Sequence, residues 1–204
     1  MAGRISKSND KKAPVVEKPA DKRTAILEAT LDLISKNGFH ATPMSMVAQH
    51  ANVAAGTIYH YFDSKEQLID ELYIMHREKV AVVIQESDEP SKPYKERFQK
   101  VCMGLFNYYV KHPDQFLFIE HYANSPIMNR MSKDETFIFY TPLWDFLRKG
   151  IHTSQLKDIS SKLMAWMVYG NIASLVKMRL FGDFPQEPLI LYIACNAIWD
   201  AFKR

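Results

Sequence analysis

Apolar positions along most of this chain recur at spacings of three and four, the period of an amphipathic helix. Ile26, Ala29 and Leu33 make one stripe, with Leu27, Leu31 and Ile34 beside it. Lys36-Asn37-Gly38 supplies a basic last turn followed by residues that accept positive φ, so a first helix is predicted over Asp21 to Lys36. Thr42 offers an N-cap with Pro43 at the first helical position, which predicts a short helix ending near His50. Asn52 suits a tight turn, and a second short helix follows from about Ala54 to Tyr61. Asp63 or Ser64 then caps a long helix whose stripe is Leu68, Leu72, Met75 and Val83 and which ends near Glu86. Ser87 to Pro93 reads as a linker. Further helices are expected at Tyr94 to Lys111, Pro113 to Ala123, Met128 to His152 with a kink at Pro142, Ser160 to Phe181, and Pro188 to Phe202. No period-two strand longer than a few residues and no internal repeat is present in the sequence. The pattern is that of an all-α chain of about nine helices.

Composition narrows this picture. At 204 residues and 47% hydrophobic, the chain can bury a substantial core. Its formal net charge is only +3, so any attraction for nucleic acid must be local. Cys102 and Cys195 sit among apolar neighbours and read as buried, reduced thiols. The polar first twenty residues do not resemble a signal peptide. The longest charge-free runs, Leu163 to Val176 and Pro188 to Trp199, fall short of the ~20 residues that span a bilayer. A cytoplasmic protein is expected. Residues 1–20 read as a disordered basic arm carrying Arg4, Lys7, Lys11, Lys12 and Lys18, diluted by Asp10 and Glu17. Such an arm is either a solvated tail or a phosphate-seeking one.

The segment from Thr42 to Phe62 carries the clearest chemistry. Two short helices that cross steeply need a small residue where their backbones meet, and Ala48 supplies it. Val47, Val53 and Ile58 stand at the inward offsets. The second helix then turns Ala55, Thr57, Tyr59, His60 and Tyr61 outward, and Ala55 and Gly56 leave its start slim enough for a major groove. That outer face holds hydroxyls, aromatic rings and small residues, with no Glu or Lys before Lys65. It suits a phosphate backbone and base edges better than open solvent. The competing reading, that these rings pack on neighbouring helices, applies best to Tyr61 and Phe62.

Residues Arg23 to about Tyr73 resemble the DNA-binding head of the TetR family of transcriptional regulators (TetR/AcrR type). The resemblance lies in Ala29, Leu33-Ile34, Gly38-Phe39, Thr42, Val47-Ala48 and Ala51-Asn52-Val53. It is most specific in Gly56-Thr57-Ile58-Tyr59-His60-Tyr61-Phe62 and Ser64-Lys65-Glu66-Gln67-Leu68. It implies a helix-turn-helix head over residues 21–63 and an effector-binding and dimerisation body over 64–204. It implies DNA-approaching roles for Thr42, Pro43 and Ser45, a recognition helix presenting Ala55, Gly56, Thr57, Tyr59, His60 and Tyr61, and a phosphate contact from Lys65. Lys22 and Arg23, the basic start of the first helix, are expected to add charge. Asn52 stands where the family usually has Gly, and Ser45 where many relatives carry a longer polar side chain.

One short helix reads few base pairs, so a homodimer is expected on a palindromic operator. The segments at about 160–181 and 188–202 are apolar all round, which suits helices covered on both sides, by their own subunit and by a partner. The middle helices are dense in aromatic residues, more than a core needs. Phe106, Tyr109, Phe116, Tyr122, Phe137, Trp144, Trp166 and Tyr169, with Glu120, His121 and Asn171 as polar partners, are the expected effector set. In the family the effector lies between the fourth and eighth helices and releases the DNA. The expectation is a ligand-responsive repressor with a small apolar or aromatic effector, no cofactor and no metal. The alternatives are a constitutive DNA-binding regulator and an all-α enzyme. For the enzyme, seven histidines form no His-x-x-x-His pair and no Cys-paired cluster, and neither a Gly-rich phosphate loop nor Gly-x-Ser-x-Gly occurs.

Overall fold

A computed structural model describes residues 22–123, 141–182 and 187–204. Nine helices and no strand occur among the described residues. They are α1 (Lys22–Asn37), α2 (Met44–His50), α3 (Ala55–Tyr61), α4 (Lys65–Ser87), α5 (Tyr94–Lys111), α6 (Pro113–Ala123), α7 (Thr141–His152), α8 (Ser161–Leu180) and α9 (Pro188–Phe202). None is long and apolar enough to cross a membrane. The arm at 1–20, the stretch from 128 to 140 and Phe137 lie outside the described residues.

Local chemistry sets the boundaries. Gly38 takes φ +78° and donates its N–H to the Ile34 carbonyl, which ends α1. Asn52 takes φ +53°, the left-handed turn that lets α3 cross α2, and the Val53 amide closes back on the Ala48 carbonyl. Of the two expected caps for α4, Ser64 is the one used. Its hydroxyl accepts from the Gln67 amide at 3.1 Å, while the Gln67 side chain accepts from the Asp63 amide. Ser160 accepts from the Leu163 amide and caps α8 in the same way.

The start of α2 differs from expectation. Pro43, not Thr42, holds the N-cap position, with extended ψ of 155°. Thr42 is buried, 1% exposed, and its hydroxyl donates to the Gly38 carbonyl at 2.9 Å. The side chain therefore closes the α1–α2 turn.

Helices α1, α2 and α3 form a head around Ile26, Leu27, Val47, Ala48, Ile58 and Phe62, all buried. Helix α4 leaves this head and packs on α5, α6 and α7, while α6 also touches α1. The head is thus held from two sides, by α4 and by α6. The buried face of α4 runs through Leu68, Leu72, Tyr73, His76, Arg77, Val80 and Ile84. Met75 and Val83, expected on that stripe, are half-buried beside it. In the body, α5 packs on α8 and α9, and α7 on α8. The Cys102 and Cys195 thiols are buried and hydrogen-bond to each other between α5 and α9, and that hydrogen bond together with burial pushes the Cys102 thiol up. The chain end is pinned where the Lys157 amide donates to the Phe202 carbonyl at 2.8 Å.

Candidate nucleic-acid interface and body cavity

Helix α3 has a buried base and an exposed outer edge. Ile58 and Phe62 are fully buried, whereas Tyr59 is 57% exposed, Tyr61 37% exposed, and Ala55, Gly56 and His60 are also exposed. Thr57 is half-buried. A methyl group added at Gly56 would meet no other atom within 4 Å, so the start of α3 is open to a close approach. On α2, Ser45, Gln49 and His50 face outward, as does Pro43 before it. His50 Nε2 lies 2.8 Å from Asp32, which also holds Lys36. Neither Pro43 nor Ala54, the residues preceding α2 and α3, caps its helix with a side chain.

The cations of the head are more occupied than expected. Arg23 is ion-paired with Glu71 of α4 and lies over the Phe62 ring, 5.7 Å from its centroid. Lys65 donates to the Phe39 carbonyl and sits 4.3 Å from that ring's centroid, and burial pulls its pKa below the usual lysine value. Both side chains, expected to seek phosphates, instead fasten the head to the start of α4. Lys22 is exposed and makes no ion pair among the described residues. Thr42 cannot present its buried hydroxyl to a ligand.

The expected effector residues scatter. His121, Trp166 (51% exposed) and Asn171 lie on the surface, and the Asn171 amide donates back to the Met167 carbonyl. Their helices turn these positions outward, because the inward positions of α8 are Met164, Val168, Ile172 and Val176. Phe106, Phe116 and Trp144 are core. Tyr122 stacks on Tyr73 at 4.5 Å and donates to Asp70. Glu120 accepts from the Tyr169 hydroxyl at 2.6 Å and pairs with Lys177 at 2.6 Å.

Among the described residues, only Tyr109 and Tyr169 of the expected set line the cavity between α4, α5, α7 and α8. Its other walls are Arg77, Val80, Ile84, Leu105 and Leu143. The cavity measures about 10 Å³, space for one water at most. The middle helices are thus closed over the expected site among the described residues. Arg77 was not expected. It is 2% exposed, and its guanidinium carbon lies 6.0 Å from the ring centroids of both Tyr73 and Tyr169. The signal was in the sequence: Arg77 falls four residues after Tyr73 and three before Val80, on the buried stripe of α4. Burial and the nearby Tyr109 and Glu120 push the Tyr169 hydroxyl far above an ordinary tyrosine, so it stays protonated as a donor.

A second surface is apolar and open. Leu163, Trp166, Met167 and Met178 on α8, Phe181 just after it, and Leu189, Tyr192 and Ile193 on α9 are all exposed. Their spacing of three and four puts them on one face of each helix. Gly170 lies on the same face with nothing near a would-be Cβ. No group of three metal-ligating side chains gathers among the described residues.

Comparison with known proteins agrees with this architecture. Residues 26–72 match the family model for bacterial regulatory proteins of the tetR family. Residues 78–204 match a tetracyclin repressor-like C-terminal domain. The fatty acid metabolism regulator protein of Bacillus subtilis is 27% identical over 164 residues, which cover 78% of this chain and 83% of that protein. A TetR family transcription regulator from Marinobacter aquaeolei superposes with a TM-score of 0.79 at 25% identity, covering 89% of this chain and 95% of that one. The transcriptional regulator FadR from Bacillus subtilis in complex with stearoyl-CoA superposes with a TM-score of 0.71 at 21% identity, covering 87% and 95%. With a helix-turn-helix head, an all-helical body and two family models that together span most of its length, this chain is a transcriptional regulator with a DNA-binding domain and belongs to the TetR family.

Proposed function

We propose that this protein represses transcription as a homodimer on a palindromic operator and is released by a small, largely apolar effector. The observation that carries the DNA reading is the exposed edge of α3, where Tyr59, His60 and Tyr61 stand on a fully buried base of Ile58 and Phe62. A large exposed aromatic edge without acidic residues is costly in water and suited to a groove. The contact set is Lys22, Pro43, Ser45, Ala55, Gly56, Thr57, Tyr59, His60 and Tyr61. Arg23, Thr42 and Lys65 act behind it, by holding α1, the α1–α2 turn and α4 in register. The exposed face of α8 and α9 supports dimerisation through these two helices, and TetR-family regulators act as dimers.

Effector release is supported by relatives whose names concern fatty acid metabolism and by the complex of one of them with stearoyl-CoA. The small cavity supports reading this closed body as the arrangement that binds DNA. A ligand that fits only when α4, α7 and α8 part must favour the parted arrangement, and by linkage must weaken DNA binding by the same factor. The test is operator affinity, by fluorescence anisotropy, with and without fatty acids, acyl-CoA thioesters and aromatic acids. At least one class should lower the affinity by about 5–150-fold, the usual range of allosteric coupling. Tight binding of such compounds with no change in operator affinity would leave a constitutive regulator.

A further inference from the structure

The two thiols of this chain meet across α5 and α9. Phe98 of α5 touches Trp199 of α9, with ring centroids 5.4 Å apart. The Gln99 side chain donates to that of Asn196 at 3.1 Å. Cys102 stands one turn further along α5, and Cys195 one turn back along α9. The two helices therefore run antiparallel at this contact, with the sulfurs facing each other. These are the two cysteines of the sequence, and both are buried, 1% and 0% exposed. Burial keeps each from a cysteine of another chain and leaves the other as its partner. A buried cysteine ordinarily serves as a small apolar residue. A pair in contact across two helices adds a bond-forming option that packing alone does not need. The Cys102 S–H donates to the Cys195 sulfur, which holds the Cys195 thiol below its usual value and raises that of Cys102. Cys195 is thus the readier nucleophile and Cys102 the thiol that follows. The position of the pair gives it reach. Helix α9 carries Leu189, Tyr192 and Ile193 of the exposed apolar face, and α5 packs on α4, which leads to the head.

We propose that Cys102 and Cys195 close into a reversible disulfide under hydrogen peroxide and that this closure weakens operator binding. The Cys195 sulfur attacks one peroxide oxygen, the O–O bond breaks, and a sulfenic acid forms as one water leaves. The Cys102 sulfur then attacks the Cys195 sulfur, the S–O bond breaks, and a second water leaves. The two sulfurs give up two electrons to the peroxide, and the two thiol protons end in the two waters. Hydrogen peroxide is a small neutral molecule and enters through the local openings of a native protein. A disulfide holds its sulfurs at about 2.05 Å, closer than two thiols in contact, so its formation draws α9 onto α5. The partner face then moves relative to α4. Two heads held at the spacing of one pair of half-sites lose that match. The switch goes beyond effector release, because it needs the DNA binding of the dimer and no ligand in the body cavity.

The experiment treats the reduced full-length protein with hydrogen peroxide, then divides the sample. One part is denatured, alkylated and mapped by mass spectrometry; the other is titrated onto operator DNA by fluorescence anisotropy, before and after dithiothreitol. Peroxide should remove both alkylatable thiols and yield a Cys102–Cys195 peptide pair within one chain. Operator affinity should fall by at least about fivefold and return with dithiothreitol. C102S, C195S and the double variant should keep their affinity through the same treatment. If a serine variant does not fold, the thiol map of the native protein and the recovery with dithiothreitol decide alone. Thiols that stay alkylatable, a disulfide that leaves operator affinity unchanged, or a loss that persists in the double variant would overturn the proposal. A loss that dithiothreitol does not reverse would overturn it too, since it marks oxidation past the disulfide. Each of these failures leaves effector release untouched.

Discussion

In the head, Tyr59 and Tyr61 stand out in solvent on a helix of seven residues, whereas in the body Tyr109 and Tyr169 fold inward around the Arg77 guanidinium. The same residue type serves two opposite arrangements. What separates them is the reach of the interactions that place them. The outer edge of α3 is fixed by residues within about twenty positions of it: Ala48 at the crossing, Asn52 in the turn, Ile58 and Phe62 underneath. The cavity is fixed by four helices that span from Arg77 to Tyr169. A head built locally can present a rigid reading edge, and a body built from distant pieces can be pried open. Regulation needs both.

The contrast can be broken most severely at the partner surface. Changing Met167 and Ile193 together to Glu should yield a folded monomer by sedimentation, since both are exposed in the single chain. Without the second head, operator affinity should fall by at least ~100-fold. A dimer that survives this change would place the partner elsewhere. The reading edge comes next. Tyr59→Ala should cost about 1–3 kcal/mol of specific DNA binding, or roughly 5–150-fold, and leave the unfolding midpoint in urea unchanged. A loss of stability instead would make Tyr59 part of the head's core.

His76 tests the packing of α4 on α6. It is 2% exposed, with its ring 6.1 Å from that of Phe118, and burial lowers its pKa to about 4. Between the usual histidine value near 6.5 and about 4 the unfolded chain takes up a proton that the folded chain refuses. Stability should therefore be complete above pH ~6.5 and fall by about 2–3 kcal/mol as the pH drops to ~4, from this residue alone. His76→Gln should flatten that fall in urea unfolding measured across the range. A slope unaltered by the change would show that His76 charges freely in the folded protein.

Two smaller effects sharpen the account. A Cβ at Gly150 would collide with the Tyr94 ring, which is itself stacked on Phe146 at 5.0 Å. Gly150→Ala should destabilise by about 1–3 kcal/mol despite the better helix propensity of Ala, as calorimetric unfolding would register. Lys65→Ala should cost about 1 kcal/mol of stability with little change in the salt dependence of DNA binding, because its ammonium is spent on the Phe39 carbonyl. Lys22→Ala should do the reverse and lower the salt slope by about one unit.

The sequence made the head legible because its signals are short-range. The Gly38 stop, the Asn52 turn and the small Ala48 each act within a few residues, and the helix bounds they imply agree with the structure to within two positions. Thr42 reads as an N-cap in the sequence because a buried hydroxyl bonding four residues back uses the same residue types. The body was legible as helices and not as a site. Aromatic density points to Trp166, with Asn171 as a polar partner, but density does not say which face of α8 turns to its own core, and the structure turns both outward. A charge on a long helix usually lies in solvent, and the packing of α4, α5, α7 and α8 is what puts Arg77 inside.

The most direct test of the central reading is selection of bound sequences from random duplex DNA with the purified full-length protein. The account predicts one enriched inverted repeat, with half-sites about one helical turn apart or a multiple of it, and two chains or a multiple of two on each duplex. A lone half-site bound by one chain, or no enriched sequence at all, would contradict it.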